Sequence, residues 1–220
     1  MKYRCIIFDC DGTLIDTLED IADSMNRALV LCGFPPVPVE QYRTMVGWGM
    51  VNLATLALPE DSRMPEIIQA AAAEATRIYF EQPLIKSKPY PGIRELVLEL
   101  KAQKIKTAVL SNKPDPVLRL VIDGIFPPGT FDVIRGERPG EGRKPDPNLV
   151  WELLTVIDCS PRDTLLAGDS EIDMETARNA GCFPLGVSWG FRPRSTLEAA
   201  GAACIIDRPE QLRELLSRQI

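Results

Sequence analysis

The chain contains no histidine. That absence excludes Ser-His-Asp and Cys-His nucleophile pairs, phosphoryl transfer through histidine, and histidine-ligated zinc. Any chemistry must run on carboxylates, lysine, hydroxyls, thiols or hard metal ions. No apolar run approaches the ~18–20 residues of a membrane-spanning helix. The opening "MKYRCIIFD" has only the short apolar stretch "CIIF" before an acid, too little for a secretion signal. Six cysteines lack Cys-x-x-Cys spacing and read as thiols in a reducing cytosol, which predicts a cytoplasmic protein. Basic residues are not in excess: the net charge is −6 at pH 7. That argues against non-specific nucleic-acid binding and acidic membranes as partners. Internal repeats and low-complexity tracts are also lacking.

What remains is an ordinary globular balance, 45% apolar and 25% charged over 220 residues. That length suits one large domain or a core with a smaller insertion. Apolar runs at 5–8, 107–110, 164–168, 184–187 and 203–206 read as buried strands, with a further short strand around 131–134. Amphipathic stretches of helical period alternate with them, so the pattern predicts an α/β fold with a parallel sheet and helices on both faces. Between Asp16 and Pro83 no strand-like run occurs. A helix opens there on a Thr17–Asp20 capping-box pattern, and another is expected over 62–80. The whole stretch reads as a helical insertion with hinges near Asp16 and Pro83–Pro89, the core being 1–15 and 84–220 and the insertion 16–83.

Ligands in parallel sheets gather at the carboxyl ends of strands. There the sequence places Asp9, Ser111-Asn112 and Asp169. Asp9 and Asp11 stand two residues apart. At ~4 Å and an effective dielectric of about 20, two like charges repel by roughly 4 kcal/mol. Bound Mg2+ would offset that cost, as would a plain solvated turn. Gly12 allows a tight turn, and Thr13 adds a hydroxyl and a backbone N–H. Asp173 follows Asp169 by one helical turn, where it suits either a metal or a capping box with Ser170. Asp115-Pro116 and Asp146-Pro147 read as helix starts. Lys144, just before the second, is a compact cation suited to phosphate.

In order, "DCDGTL" (9–14), "LSN" (110–112), Lys144 and "GDSEID" (168–173) resemble the four motifs of the haloacid dehalogenase superfamily of phosphohydrolases. The resemblance implies a Rossmann-like core with a small α-helical cap inserted after the first motif. It also implies that Asp9 is the nucleophile, giving a phospho-aspartate, and that Asp11 is the general acid and base. Mg2+ would be held by the Asp9 carboxylate, the Asp11 main-chain carbonyl and Asp169, with Asp173 nearby. Thr13, Ser111, Asn112 and Lys144 would contact the phosphoryl group. "SNKPDP" and "RKPDP" look most like the phosphoglycolate phosphatase branch, so a small phosphorylated metabolite, 2-phosphoglycolate first, is the expected substrate. A β-phosphoglucomutase-like phosphomutase, a pyrophosphatase and a sugar-phosphate phosphatase are the alternatives. In the insertion, Arg43, Gly47 and Trp48 of "RTMVGWGM" are the candidates for substrate contact, Arg43 by pairing with a carboxylate. Asp16 reads only as the start of the hinge. A monomer or a homodimer is expected.

Overall fold

The computed structural model describes residues 3–217. Strand β1 (Cys5–Phe8) leads through a tight turn into a two-residue strand, β2 (Ile15–Asp16). Helices α1 (Leu18–Leu31), α2 (Tyr42–Met45), α3 (Gly49–Ala57) and α4 (Pro65–Glu81) follow, and β3 (Lys88–Pro89) returns antiparallel to β2. The chain then alternates: α5 (Ile93–Ala102), β4 (Lys106–Pro114), α6 (Asp115–Ile125), β5 (Val133–Glu137) and α7 (Pro147–Ile157). It finishes with β6 (Thr164–Gly168), α8 (Glu171–Ala180), β7 (Phe183–Val187), α9 (Arg194–Ala199), β8 (Cys204–Ile206) and α10 (Glu210–Ser217).

Six strands form one sheet in the order β5-β4-β1-β6-β7-β8, every neighbouring pair parallel. The path leaves β1 toward β4 and β5, then crosses back to β6 on the other side. β1 therefore lies at the point where strand order reverses, and the crevice above its carboxyl end is the natural ligand site of such a sheet. The alternation within β1 shows why "CIIF" is continuously apolar. Ile6 and Phe8 join the core layer shared with α1, α4, α5 and α6. Cys5 and Ile7 join the opposite layer, with Leu149, Leu153 and Ala177 of α7 and α8. A strand covered on both faces has no polar side to alternate with.

The described secondary structure from Leu18 to Glu81 is helical. The stripe Leu18, Ile21, Ala22, Met25 and Leu29 of α1 is buried, as are Ala71, Ala75, Ile78 and Tyr79 of α4. The expected Thr17–Asp20 capping box does not form. Thr17 makes no side-chain cap bond; its hydroxyl donates to Asp11 Oδ1 at 2.6 Å. Asp20 instead accepts from the N–H groups of Lys86 and Ser87 and from the Ser87 hydroxyl. That buried carboxylate ties the start of the insertion to its end. Asp115 is also not the helix cap. It begins α6 and accepts from Gly136 N and Arg119. Asp146 does cap α7, accepting from Asn148 N at 3.0 Å. No helix among the described residues is long and apolar enough to cross a membrane.

Candidate active site

The turn after β1 is built on one carbonyl. Leu14 N and Ile15 N both donate to Cys10 O at 3.0 Å, and Gly12 N donates to Ile15 O at 2.9 Å. Gly12 adopts φ +80°, and a Cβ there would lie 2.3 Å from Asp169 Oδ2. Only glycine lets Asp169 approach the turn so closely. Asp9 N donates to Ala167 O at 2.9 Å, which sets the end of β1 against β6. Ser170 and Asp173 form the capping box that opens α8.

Asp9, Asp169 and Asp173 are buried, and each offers a carboxylate oxygen within 4.8 Å of the others. Asp169 Oδ2 accepts from Phe191 N at 2.6 Å. Asp173 Oδ2 accepts from Ser170 N and Oγ. Lys144 Nζ sits 2.8 Å from Asp9 Oδ1 and 2.7 Å from Asp173 Oδ1. Asp9 Oδ1 nevertheless takes no well-directed hydrogen bond. Asp11 has a different cation: Lys113 Nζ lies 3.0 Å from its Oδ1. Lys113 in turn donates to the Tyr79 hydroxyl at 2.7 Å. Each acid of the Asp9–Asp11 pair thus faces a buried lysine, Lys144 being shared with Asp173, which offsets part of their repulsion.

Burial pushes the Asp9 carboxyl up to about 7, with Lys144 pulling down and Asp173 and Asp11 pushing further up. Asp169 is raised well above the usual carboxylate range by burial, then by Asp173 and Asp9, against the pull of Phe191 N–H and Arg192. Burial would lower the Lys144 ammonium, but Asp173 and Asp9 more than reverse that. The Cys10 thiol between the two acids is held far above its ordinary value by burial, so it is no nucleophile. Four carboxylates face two ammonium groups here, leaving an excess of negative charge in a buried place. Three convergent hard oxygen donors with that excess fit a divalent cation.

Asp9, Asp11, Ser111, Lys113, Lys144 and Arg192 border one cavity of about 50 Å3. The insertion closes it with Val46, Gly47, Gly49, Met50, Leu53 and Tyr79. The expected residues Asp9, Asp11, Ser111, Asn112, Lys144, Asp169 and Gly47 are all brought to this wall. Three expectations change in detail. The Thr13 hydroxyl turns to Asp169 Oδ1 at 3.4 Å and does not border the cavity. The Asn112 side chain is already engaged: its Nδ2 donates to Gly47 O and Lys144 O, and its Oδ1 accepts from Lys144 N. It braces the lysine loop against the insertion. Arg43 and Trp48 lie off the cavity wall. Arg43 pairs with Glu40, three residues before it, at 2.8 Å on the surface.

Sequence reasoning missed Lys113, Tyr79 and Arg192. Lys113 was within reach, as the residue directly after the Ser111-Asn112 motif. Arg192 is buried, pairs with Glu171 at 3.1 Å, and donates to Arg43 O, Thr44 O and Val46 O. With Asn112 on Gly47 O and Arg143 on Trp48 O, it grips residues 43–48, the end of α2 and the turn after it, by their backbone.

Residues 6–187 match the haloacid dehalogenase-like hydrolase family. A phosphoglycolate phosphatase from Aquifex aeolicus is 30% identical over 217 residues, covering 99% of this chain and 98% of its own. One from Vibrio cholerae is 32% identical over 195 residues, 86% of each chain. The solved structure of a Lactobacillus delbrueckii protein, provisionally assigned as a phosphoglycolate phosphatase, superposes with a TM-score of 0.90 at 32% identity, covering 98% of this chain and 99% of its own. The chain belongs to the haloacid dehalogenase-like hydrolases, and is a phosphoric monoester hydrolase.

Proposed function

We propose that this chain hydrolyses small phosphomonoesters, 2-phosphoglycolate foremost, through an aspartyl-phosphate on Asp9. The observation that carries the reading is the pair Asp9 and Asp11, facing the separate lysines Lys144 and Lys113 and bordering one cavity. The Asp9 carboxylate attacks phosphorus, and the bond to the ester oxygen breaks. That oxygen takes a proton from Asp11 and leaves as an alcohol. Asp11, now a base, takes a proton from water as its oxygen attacks the same phosphorus, which frees Asp9 and inorganic phosphate. Lys144 lies where it would shield the phosphoryl oxygens from the attacking carboxylate. Asp9, Asp169 and Asp173, with the Asp11 main-chain carbonyl, are the donors that would hold Mg2+, whose charge would neutralise part of the carboxylate and phosphoryl charge.

The helical segment 16–83 serves as a cap on a core of 1–15 and 84–220. In support, the β2–β3 ribbon ties its two ends together, and core side chains hold its 43–48 segment by carbonyl oxygens. The named relatives support phosphoglycolate as substrate. Six free cysteines suit a reducing cytosol.

The test is phosphate release from a panel of esters with and without Mg2+. Activity dependent on the metal, highest on 2-phosphoglycolate, and lost in a folded Asp9→Asn variant is expected. Activity surviving in that variant rejects the mechanism, and isomerisation of sugar phosphates without hydrolysis replaces it with a mutase.

A further inference from the structure

We infer that Lys113 binds the carboxylate of the substrate, and so selects phosphate esters of α-hydroxy acids. The inference rests on the proposed role of Asp11 as the acid beside the leaving oxygen. Three cations border the cavity. Arg192 is engaged by Glu171 and three carbonyl oxygens. Lys144 stands between Asp9 and Asp173, at the phosphorus end. Lys113 has three N–H groups, and its partners are Asp11 Oδ1 and the Tyr79 hydroxyl. One donor is left for a ligand.

Position decides which ligand. In an α-hydroxy acid phosphate the carboxyl carbon is two bonds from the ester oxygen. Asp11 must reach that oxygen to protonate it, and Lys113 Nζ is 3.0 Å from Asp11 Oδ1. A carboxylate on the α-carbon therefore comes within range of the ammonium while phosphorus faces Asp9. A carboxylate one carbon further out overshoots it. The lysine is also held in place: it is buried, and lies 4.2 Å from the Tyr79 ring centre as well as bonding its hydroxyl. A fixed cation away from water discriminates strongly between charged and neutral ligands. Tyr79 belongs to α4, so the recognising group is complete only with the helical segment in place.

The experiment compares kcat/KM for 2-phosphoglycolate, ethyl phosphate and 3-phosphonooxypropanoate, with Mg2+, in the wild type and in Lys113→Met. The wild type is expected to prefer 2-phosphoglycolate over ethyl phosphate by on the order of 100-fold, because a site built for a polar group rejects the analogue lacking it. In Lys113→Met both esters lose what the ion pair with Asp11 contributes, and 2-phosphoglycolate loses its carboxylate contact besides, so that ratio falls to within about threefold of unity. Equal losses on both esters would mean that Lys113 only positions Asp11, and would overturn the inference. So would a folded variant that keeps the preference, which leaves the phosphatase reading standing. Should the variant not fold, the wild type still decides: a preference of about tenfold or more for 2-phosphoglycolate over the longer acid supports the assignment, and equal rates overturn it. Absence of hydrolysis of every ester by the wild type would instead reject the phosphatase reading itself.

Discussion

Replacing Asp9 by asparagine should stabilise the metal-free protein at alkaline pH and weaken its response to Mg2+. The Asp9 carboxyl rises from an ordinary 3.8 to about 7 in the fold. Between those values the unfolded chain has lost its proton and the folded chain still holds one, so stability falls as pH rises through this window and levels off above it. Ionising Asp9 in the metal-free fold at pH 8 costs on the order of 4 kcal/mol relative to the unfolded chain. Asparagine is neutral in both states and removes that cost. Lys144 keeps Asp173 at 2.7 Å, so the loss of one of its two partners is tolerable. At ~2–4 °C per kcal/mol for a chain of this size, chelated Asp9→Asn should melt about 8–16 °C above the wild type at pH 8. At pH 4.5 the two should nearly coincide. Mg2+ at about 100 times its Kd should return about 2.7 kcal/mol to the wild type and clearly less to the variant. Thermal melts across pH 4.5–8 in chelator and in Mg2+ measure both effects. A chelated variant no more stable than the wild type at pH 8 refutes the reasoning.

Two other perturbations follow from the geometry. Gly12→Ala places a Cβ against Asp169 Oδ2 at a φ of +80°, and should cost about 1–3 kcal/mol. The displaced carboxylate should also weaken Mg2+ binding, measured by calorimetric titration, by about tenfold, or about 1.4 kcal/mol. Arg192→Leu removes the donors to Arg43 O, Thr44 O and Val46 O. Loosening that segment should raise KM about tenfold with kcat changed less than about threefold, the mark of lost uniform binding, and limited proteolysis should cut earlier within 43–50. A change confined to kcat would show that Arg192 acts on the reacting groups instead.

Most of the sheet was legible because β1, β6, β7, β8 and the middle of β4 are short apolar runs, β1 being covered on both faces; β5, "VIRGE", is half polar and begins at Val133, inside the 131–134 expected, and runs on to Glu137. The acids were legible because they follow strand ends, where the backbone itself directs them to the crevice. What failed were local patterns with better offers elsewhere. Thr17 and Asp20 have the spacing of a capping box, but Asp11 takes the hydroxyl, and the Lys86–Ser87 backbone takes the carboxylate. A capping pattern assumes that its side chains have no stronger tertiary partner, and sequence cannot test that. The β2–β3 ribbon has two residues per strand, one of them a proline, so it has no period to detect. Arg192 and Tyr79 carry no motif. Their roles come from contacts between the core and a helical segment far away in sequence.

Two acids separated by one residue can take different parts because the fold surrounds them differently. Asp9 shares Lys144 with Asp173 and faces Asp169 as well, so its surroundings carry more negative than positive charge. Burial and that charge excess push its carboxyl up to about 7, so a divalent cation bound there would favour the anion the proposed attack requires. Asp11 stands beside a lysine and a threonine hydroxyl, in a locally balanced pair that needs no metal. Its partner lysine is anchored by Tyr79 from the helical segment, whereas Lys144 is braced through Asn112 at the end of β4. In the proposed mechanism the demand for metal would therefore fall on Asp9, and the demand for a seated helical segment on Asp11. Cys10, the residue between them, is buried with its thiol held protonated, and so separates the two environments without taking part in either.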